Sequence, residues 1–202
     1  MESLPTKNNE KTVAYLAAIA DAGIHNAARG FSGMLGQELS VVSQEMKLLP
    51  FREIASIVNG LEEEVVGIYV RSEGDLASQF MLVIQLQTAM ELADLLMDQP
   101  IGTCRELRSL ERSALAEVGN LTSSFFMNSV SNLTGISLRP TPPAVVVDMA
   151  GAIIDIIVTA TGSLGDWVMM LKAKFALGER AVHADFWVLP DARTLELIMS
   201  GV

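Results

Sequence analysis

The sequence has few of the residues on which disulfides and metal sites depend. Its 202 residues include one cysteine and two histidines, so an internal disulfide is excluded. His25 and His183 lie far apart and lack the spacing of metal ligands, and we expect both to be structural. Cys104 has no second cysteine and no histidine close by in sequence, and we interpret it as a reduced structural thiol. The sequence therefore predicts no metal site and no resident cofactor.

Positive charge is also scarce. The chain has 14 Lys and Arg against 24 Asp and Glu, and its formal net charge is −10. Such a charge repels phosphate backbones, and no cluster of basic residues with interleaved aromatic residues overcomes it. We therefore expect no nucleic-acid partner.

Long uninterrupted apolar runs are missing, although 50% of the residues are hydrophobic. The most apolar region, residues 144–165, contains Asp148 and Asp155, so we expect no membrane span. The first residues, MESLPTKNNEK, lack the apolar core of a secretory signal, which favours a cytoplasmic protein. We interpret the surplus of hydrophobic residues as core, with a partner or dimer surface as the alternative. The oligomeric state stays open.

Apolar periodicity predicts a mixed α/β (α+β) chain built from two similar halves. The elements predicted for the first half are a helix over 9–35, a strand within 38–50, a short helix near 51–60, antiparallel strands over 64–71 and 80–87, and a helix over 88–97. Those predicted for the second half are a long helix over 105–135, a strand over 136–143, a helix over 149–160, strands over 166–175 and 184–189, and a final helix from Asp191.

The two halves align at a fixed offset. Gly36 falls on Gly135 and Leu39 on Leu138, an offset of 99 residues (135 minus 36). Such self-similarity indicates an internal duplication with pseudo-two-fold symmetry. We predict a single domain over 1–202, with repeats over 9–100 and 104–202 that share one β-sheet flanked by long helices.

The most informative stretch is the long helix of the second half. Ser113, Glu117 and Asn120 stand at positions i, i+4 and i+7, which places them within about 60° of one another on a helix. An apolar flank predicted roughly 100° away anchors this helix, and its members are Leu107, Leu110, Val118, Leu121 and Phe125. We therefore expect Glu117 and Asn120 to face solvent. Gly119, unfavourable inside a helix, is interpreted as room for a partner backbone.

The pattern Ser113-x3-Glu117-x2-Asn120-x22-Pro143 resembles the signature [DS]-x3-E-x2-N-x22-P of the CheC/CheX/FliY family of chemotaxis phosphatases. All four positions match. The adjoining EVGNLTSSFFMNSVSNLTG is similar to the motif helix of that family, and FWVLPDARTLELIM (186–199) is similar to its closing strand and helix. The resemblance implies a CheC-like fold.

The resemblance also implies an activity, the hydrolysis of the aspartyl phosphate of a CheY-type response regulator in chemotaxis. In that reading Asn120 orients the attacking water, Glu117 pairs with the receiver lysine, and Ser113 contacts the partner at the rim. Pro143 shapes a strand edge without touching substrate. The Mg²⁺ for the reaction is supplied by the receiver.

Two alternatives stay open. One is a catalytically weak adaptor that binds a receiver, the deamidase CheD or the flagellar switch, because FliM and FliY share the fold. The other is plain solvated surface, the common role of an exposed Glu and Asn. The offset of 99 places Ala14, Ala18 and Asp21 on the signature positions, so we predict one active site and a degenerate motif in the first half.

Overall fold

The computed structural model describes residues 9–50, 53–57, 60–75, 78–160, 167–178 and 180–190. Its elements are, in chain order, α1 (Asn9–Leu35), β1 (Leu39–Pro50), α2 (Ile54–Ile57), β2 (Glu64–Gly74), β3 (Ser78–Gln85), α3 (Leu86–Leu96), α4 (Ser109–Thr134), β4 (Leu138–Pro140), β5 (Ala144–Met149), α5 (Ala150–Ala160), β6 (Trp167–Leu177) and β7 (Arg180–Pro190). No helix among these residues is long and apolar enough to cross a membrane.

The strands form one antiparallel sheet with helices on both faces. The strand order is β1-β6-β7-β3-β2, and β2 pairs on its outer side with both β4 and β5. Helices α1, α3 and α4 cover a large core that includes Ile68, Phe80 and Phe186. Helices α2 and α5 cover a smaller core around Met170 and Trp187 on the other face. The predicted mixed fold with one shared sheet and long flanking helices is confirmed.

The sheet is symmetric about its centre. If β4 and β5 together are taken as the counterpart of β1, the strand order reads the same from both edges. Helices α1 and α4 both end at a glycine in the left-handed region, Gly36 with φ 61° and Gly135 with φ 74°, a conformation that glycine adopts without a Cβ penalty. The two halves are therefore arranged with pseudo-two-fold symmetry, and the repeat boundaries stay a prediction.

Most of the predicted elements are present, including the hairpin of β2 and β3. The prediction of one strand over 136–143 was wrong in extent, because Pro142 and Pro143 interrupt the pairing after Pro140 and a separate strand resumes at Ala144. Proline has no N–H to donate to a ladder, which explains the break. The helix predicted from Asp191 lies outside the described residues.

Candidate functional site

Helix α4 carries three of the four signature residues. It packs against α1 along much of its length and also against β2. At its first turn the side chain of Glu111 accepts a hydrogen bond from the backbone N–H of Arg108, at 3.0 Å, which satisfies one of the free donors at the helix start. The helix is thus fixed both by its neighbours and at its N-terminus.

The buried face of α4 differs from the predicted apolar flank. Leu110 is 63% exposed, and Leu121 and Phe125 are only half-buried. The side chains of α4 that are buried in the core are Leu115, Val118, Phe126, Met127 and Val130. The sequence placed the buried face wrongly because Gly119 and Ser123 also lie on it. A pattern of hydrophobic residues does not reveal small residues that are buried at a close contact.

Gly119 is a contact to the sheet and not room for a partner. A Cβ at this position would lie 2.3 Å from Cγ2 of Ile68 on β2, and Ile68 is fully buried. The interpretation from the sequence was therefore wrong. The glycine allows α4 to approach β2 closely, which sets the depth at which the next residue, Asn120, is held.

The polar residues of the signature differ in exposure. Ser113 and Glu117 are exposed, whereas Asn120 is half-buried, so the expected exposure is found for Glu117 and only in part for Asn120. Within the described part of the chain, none of the three side chains has a hydrogen bond or an ion pair. Glu117 and Asn120 therefore present a carboxylate and an amide one turn apart, with their bonding capacity unused.

Pro143 lies on the segment between β4 and β5, two strands that both contact α4. Thr141 pins this segment to β2, because its backbone N–H donates to the carbonyl of Arg71 at 2.8 Å and its hydroxyl accepts from the N–H of Arg71 at 3.1 Å. The guanidinium of Arg112 on α4 donates to the carbonyl of Val145 on β5 at 3.4 Å. Helix α4 and β5 are thus tied together, and Pro143 lies on the segment directly before β5.

Asp94 is a site-supporting residue that the sequence analysis missed. Its buried carboxylate accepts hydrogen bonds from the backbone N–H groups of Gly102 (2.8 Å), Thr103 (3.1 Å) and Cys104 (2.7 Å). These residues lie in the link that leads from α3 into α4. An Asp among the apolar positions of α3, followed by a link with Pro100 and Gly102, was the available signal.

Cys104 has the properties of a structural thiol. Burial raises the pKa of its sulfhydryl, the carbonyl of Glu106 opposes that shift, and the carboxylates of Asp94 and Glu111 add to it. A raised pKa leaves less of the nucleophilic thiolate. In the described ranges no three His, Cys, Asp or Glu residues are grouped so that they could hold a metal ion.

The arrangement suits placement of water and cations. An amide can accept from a water molecule through its oxygen and donate through its nitrogen, so it fixes the direction of the water without titrating. A carboxylate one turn away attracts a cationic group. The candidate site is therefore Glu117 and Asn120, with Ser113 toward the rim and Pro143 at the flank.

Comparisons with known proteins match the same stretch of sequence. The model of the CheC-like family matches residues 110–147, which contain the whole signature. The chain is 24% identical over 191 residues to the CheY-P phosphatase CheC of Bacillus subtilis (strain 168), covering 93% of this chain and 91% of that protein.

Solved structures show the same fold. Thermotoga maritima FliY has a TM-score of 0.69 at 20% identity, over 98% of this chain and 96% of that one. CheX in the CheX-CheY-BeF3-Mg²⁺ complex of Borrelia burgdorferi has a TM-score of 0.54 at 18% identity, over 85% and 96% of the two chains. In sequence and in structure, this chain resembles the chemotaxis phosphatase family of CheC, CheX and FliY, and its fold is CheC-like.

Proposed function

We propose that the protein hydrolyses the aspartyl phosphate of a CheY-type response regulator. The observation that carries the proposal is a pair of side chains one turn apart, the exposed Glu117 and the half-buried Asn120, that have no partner among the described residues and lie within the stretch that the CheC-like family model matches. The similarity to a CheY-P phosphatase along 93% of the chain supports it.

The proposed mechanism needs no covalent step on this chain. Hydrolysis of a phosphoryl group depends on placing water in line with the phosphorus and on stabilising charge at the equatorial oxygens. Asn120 accepts one hydrogen of the water and directs its lone pair toward the phosphorus. Glu117 pairs with the receiver lysine beside the phosphoryl group and so aligns the two proteins, and Ser113 adds a polar contact at the rim.

The metal in this proposal belongs to the partner. The Borrelia burgdorferi complex contains CheX, CheY, BeF3 and Mg²⁺, which supports a receiver that arrives with its own Mg²⁺. We propose that this chain supplies the amide and the carboxylate and that the receiver supplies the metal.

A non-catalytic adaptor is the second candidate. The middle domain of FliM from H. pylori has the same fold, with a TM-score of 0.64, as does FliY. In that case the exposed side of α4 docks a receiver, CheD or another partner without accelerating loss of phosphate.

One experiment separates the two candidates. Decay of the phosphorylated receiver is followed with and without this protein, and then with Asn120→Ala. We expect wild type to accelerate decay, and we expect Asn120→Ala to lower the acceleration about 100-fold or more, since water placement is lost. Binding of the receiver with BeF3 should change little, because Asn120→Ala keeps Glu117.

The control is Asn128→Ala, an exposed position further along the same helix. It should behave as wild type. If the Asn120→Ala protein accelerates decay of the phosphorylated receiver as much as wild type does, the mechanism is contradicted. If wild type binds the receiver without accelerating its decay, the adaptor is favoured.

A further inference from the structure

The two halves of the fold can be compared residue by residue, because their burial patterns coincide. At an offset of 99 residues, buried positions of α1 fall on buried positions of α4. The pairs are Leu16 and Leu115, Ile19 and Val118, Ala20 and Gly119, and Phe31 and Val130. Position 21 therefore corresponds to position 120 in the other half.

The edge strands follow the same offset. Along β1 the chain advances four residues from Val41 to Glu45, while the paired strand β6 advances only three, from Phe175 to Lys172. In the other half, four steps from Pro140 to Ala144 are matched by three steps on β2, from Ser72 to Tyr69. Both edges thus carry one extra residue at the same place, and position 44 corresponds to position 143.

Gln44 and Pro143 also face the same side of the sheet. Side chains alternate along a strand, so Gln44 shares a face with Met46 and Leu48. Pro143 directly precedes β5, and the matching register of the two edges places it two residues before Val145 and four before Val147, as Gln44 is placed before Met46 and Leu48. These four apolar residues all pack on the core beneath the long helices. Each of the two positions is therefore directed toward its neighbouring long helix.

The two equivalent pairs differ in their hydrogen bonding. In the first half, the amide nitrogen of Gln44 donates to Oδ1 of Asp21 at 2.5 Å, so a glutamine on the edge strand reaches the helix position that matches Asn120. In the second half, Pro143 has no side-chain donor or acceptor. Within the described residues the amide of Asn120 has no hydrogen bond.

We propose that Pro143 is a positioning residue that keeps the amide of Asn120 free for water, and that Gln44 closes the equivalent position in the first half. The inference rests on the proposed function for its consequence in catalysis. A glutamine at 143 would pair with Asn120 as Gln44 pairs with Asp21, and it would occupy the oxygen that must accept from the attacking water.

The proline at 143 is needed for more than the strand break. Pro142 already removes one N–H and interrupts the strand, and it is exposed, whereas Pro143 is half-buried. The counterpart of Pro142 in β1 is Ser43, whose side chain lies on the opposite face from that of Gln44 because side chains alternate along a strand. Pro142 therefore offers a matched control that makes the same chemical change in the same segment.

The test compares Pro143→Gln with Pro142→Gln and Pro143→Ala. We expect Pro143→Gln to lower kcat for phospho-receiver decay about tenfold or more, with KM little changed, because the water-placing group is misdirected. Pro142→Gln should leave both constants near wild type. Pro143→Ala, which cannot hydrogen-bond through its side chain, should lose much less than Pro143→Gln.

A second readout does not depend on activity. The side-chain amide signals of Asn120, followed by NMR with ¹⁵N-labelled asparagine, should shift in Pro143→Gln and exchange more slowly with water, and they should be unchanged in Pro142→Gln. If wild type shows no phosphatase activity, the proposed function fails while this readout still tests the pairing. An unshifted Asn120 amide in folded Pro143→Gln, or equal losses of kcat in Pro143→Gln and Pro143→Ala, would overturn the inference.

Discussion

Glu117 is the residue by which we expect this surface to recognise its partner. It is exposed, and its carboxylate has no ion pair within the described chain, so docking costs it no internal bond. Charge pairs across interfaces act on both affinity and association rate. We therefore expect an electrostatic role for Glu117 that can be separated from the proposed role of Asn120.

We predict that Glu117→Lys weakens receiver binding about tenfold at low ionic strength, more than Asn120→Ala does, because it sets like charges against each other. Added salt should reduce the difference. The matched control is Asp155→Lys, an exposed acid on α5, which packs on the opposite face of the sheet. Titration of the receiver at two salt concentrations measures the effect, and equal affinities of Glu117→Lys and Asn120→Ala would show that Glu117 does not meet a cation.

Gly119 yields a prediction about stability. Gly119→Ala gains about 1 kcal/mol of helix propensity, but its Cβ collides with the buried Ile68 at 2.3 Å. Overpacking of a core typically costs about 1–3 kcal/mol. We expect Gly119→Ala to lower the free energy of unfolding, measured with urea.

The control for this prediction is Gly33→Ala in α1, where a new Cβ meets nothing within 4 Å. It should raise the free energy of unfolding by the gain in helix propensity alone. A Gly119→Ala protein as stable as Gly33→Ala would mean that α4 does not approach β2 as closely as described.

At the scale of elements, the link between α3 and α4 is organised by one carboxylate. Asp94 accepts three backbone N–H groups, from Gly102, Thr103 and Cys104. An Asn in its place would set an amide nitrogen against at least one of these donors. A buried donor left without a partner costs about 1–3 kcal/mol.

We therefore predict that Asp94→Asn lowers the free energy of unfolding by about that amount and speeds amide hydrogen exchange at residues 102–104. The control is Asp98→Asn, an exposed acid between α3 and the same link, which makes the same charge change and should have little effect. Equal unfolding curves and equal exchange for the two variants would show that the Asp94 hydrogen bonds do not hold the link.

The elements also show how far the sequence alone could lead. Helices α1 and α4 were predictable, α1 from its apolar periodicity and α4 from its polar signature, and a glycine after each helix marks its end. The division of 136–149 into β4 and β5 was not predictable, since the run of valines in β5 fits either a buried strand or a segment of a buried helix. The buried face of α4 was misplaced for a different reason, because its closest contact is made by Gly119, which has no hydrophobic side chain.

The molecule as a whole has two equivalent positions and, by our interpretation, one working site. The frame of the first half is intact, with α1 and β1 in the same relation as α4 and the β4–β5 segment. Its surface is different, since Ala14 and Ala18 are exposed alanines and Asp21 accepts from Gln44 at 2.5 Å and lies 3.5 Å from His25. An alanine offers nothing to a lysine, and an aspartate adds negative charge near a phosphoryl group.

We predict that one phosphorylated receiver binds per chain at saturation and that Asp21→Ala leaves the decay rate unchanged.

The decisive experiment rebuilds the first half in an Asn120→Ala background with Ala14→Ser, Ala18→Glu and Asp21→Asn, with and without Gln44→Ala. If the symmetry is functional, activity returns, and it returns more strongly when Gln44 is also removed, because the new amide at position 21 is then free to hold water. Two receivers bound to the unmodified chain would contradict the single site. If the recovered activity is the same with and without Gln44→Ala, the side chain at position 44 does not control the amide at position 21. If the activity depends on Gln44→Ala, catalysis in both halves depends on the same two positions, 21 and 44 in the first half and 120 and 143 in the second.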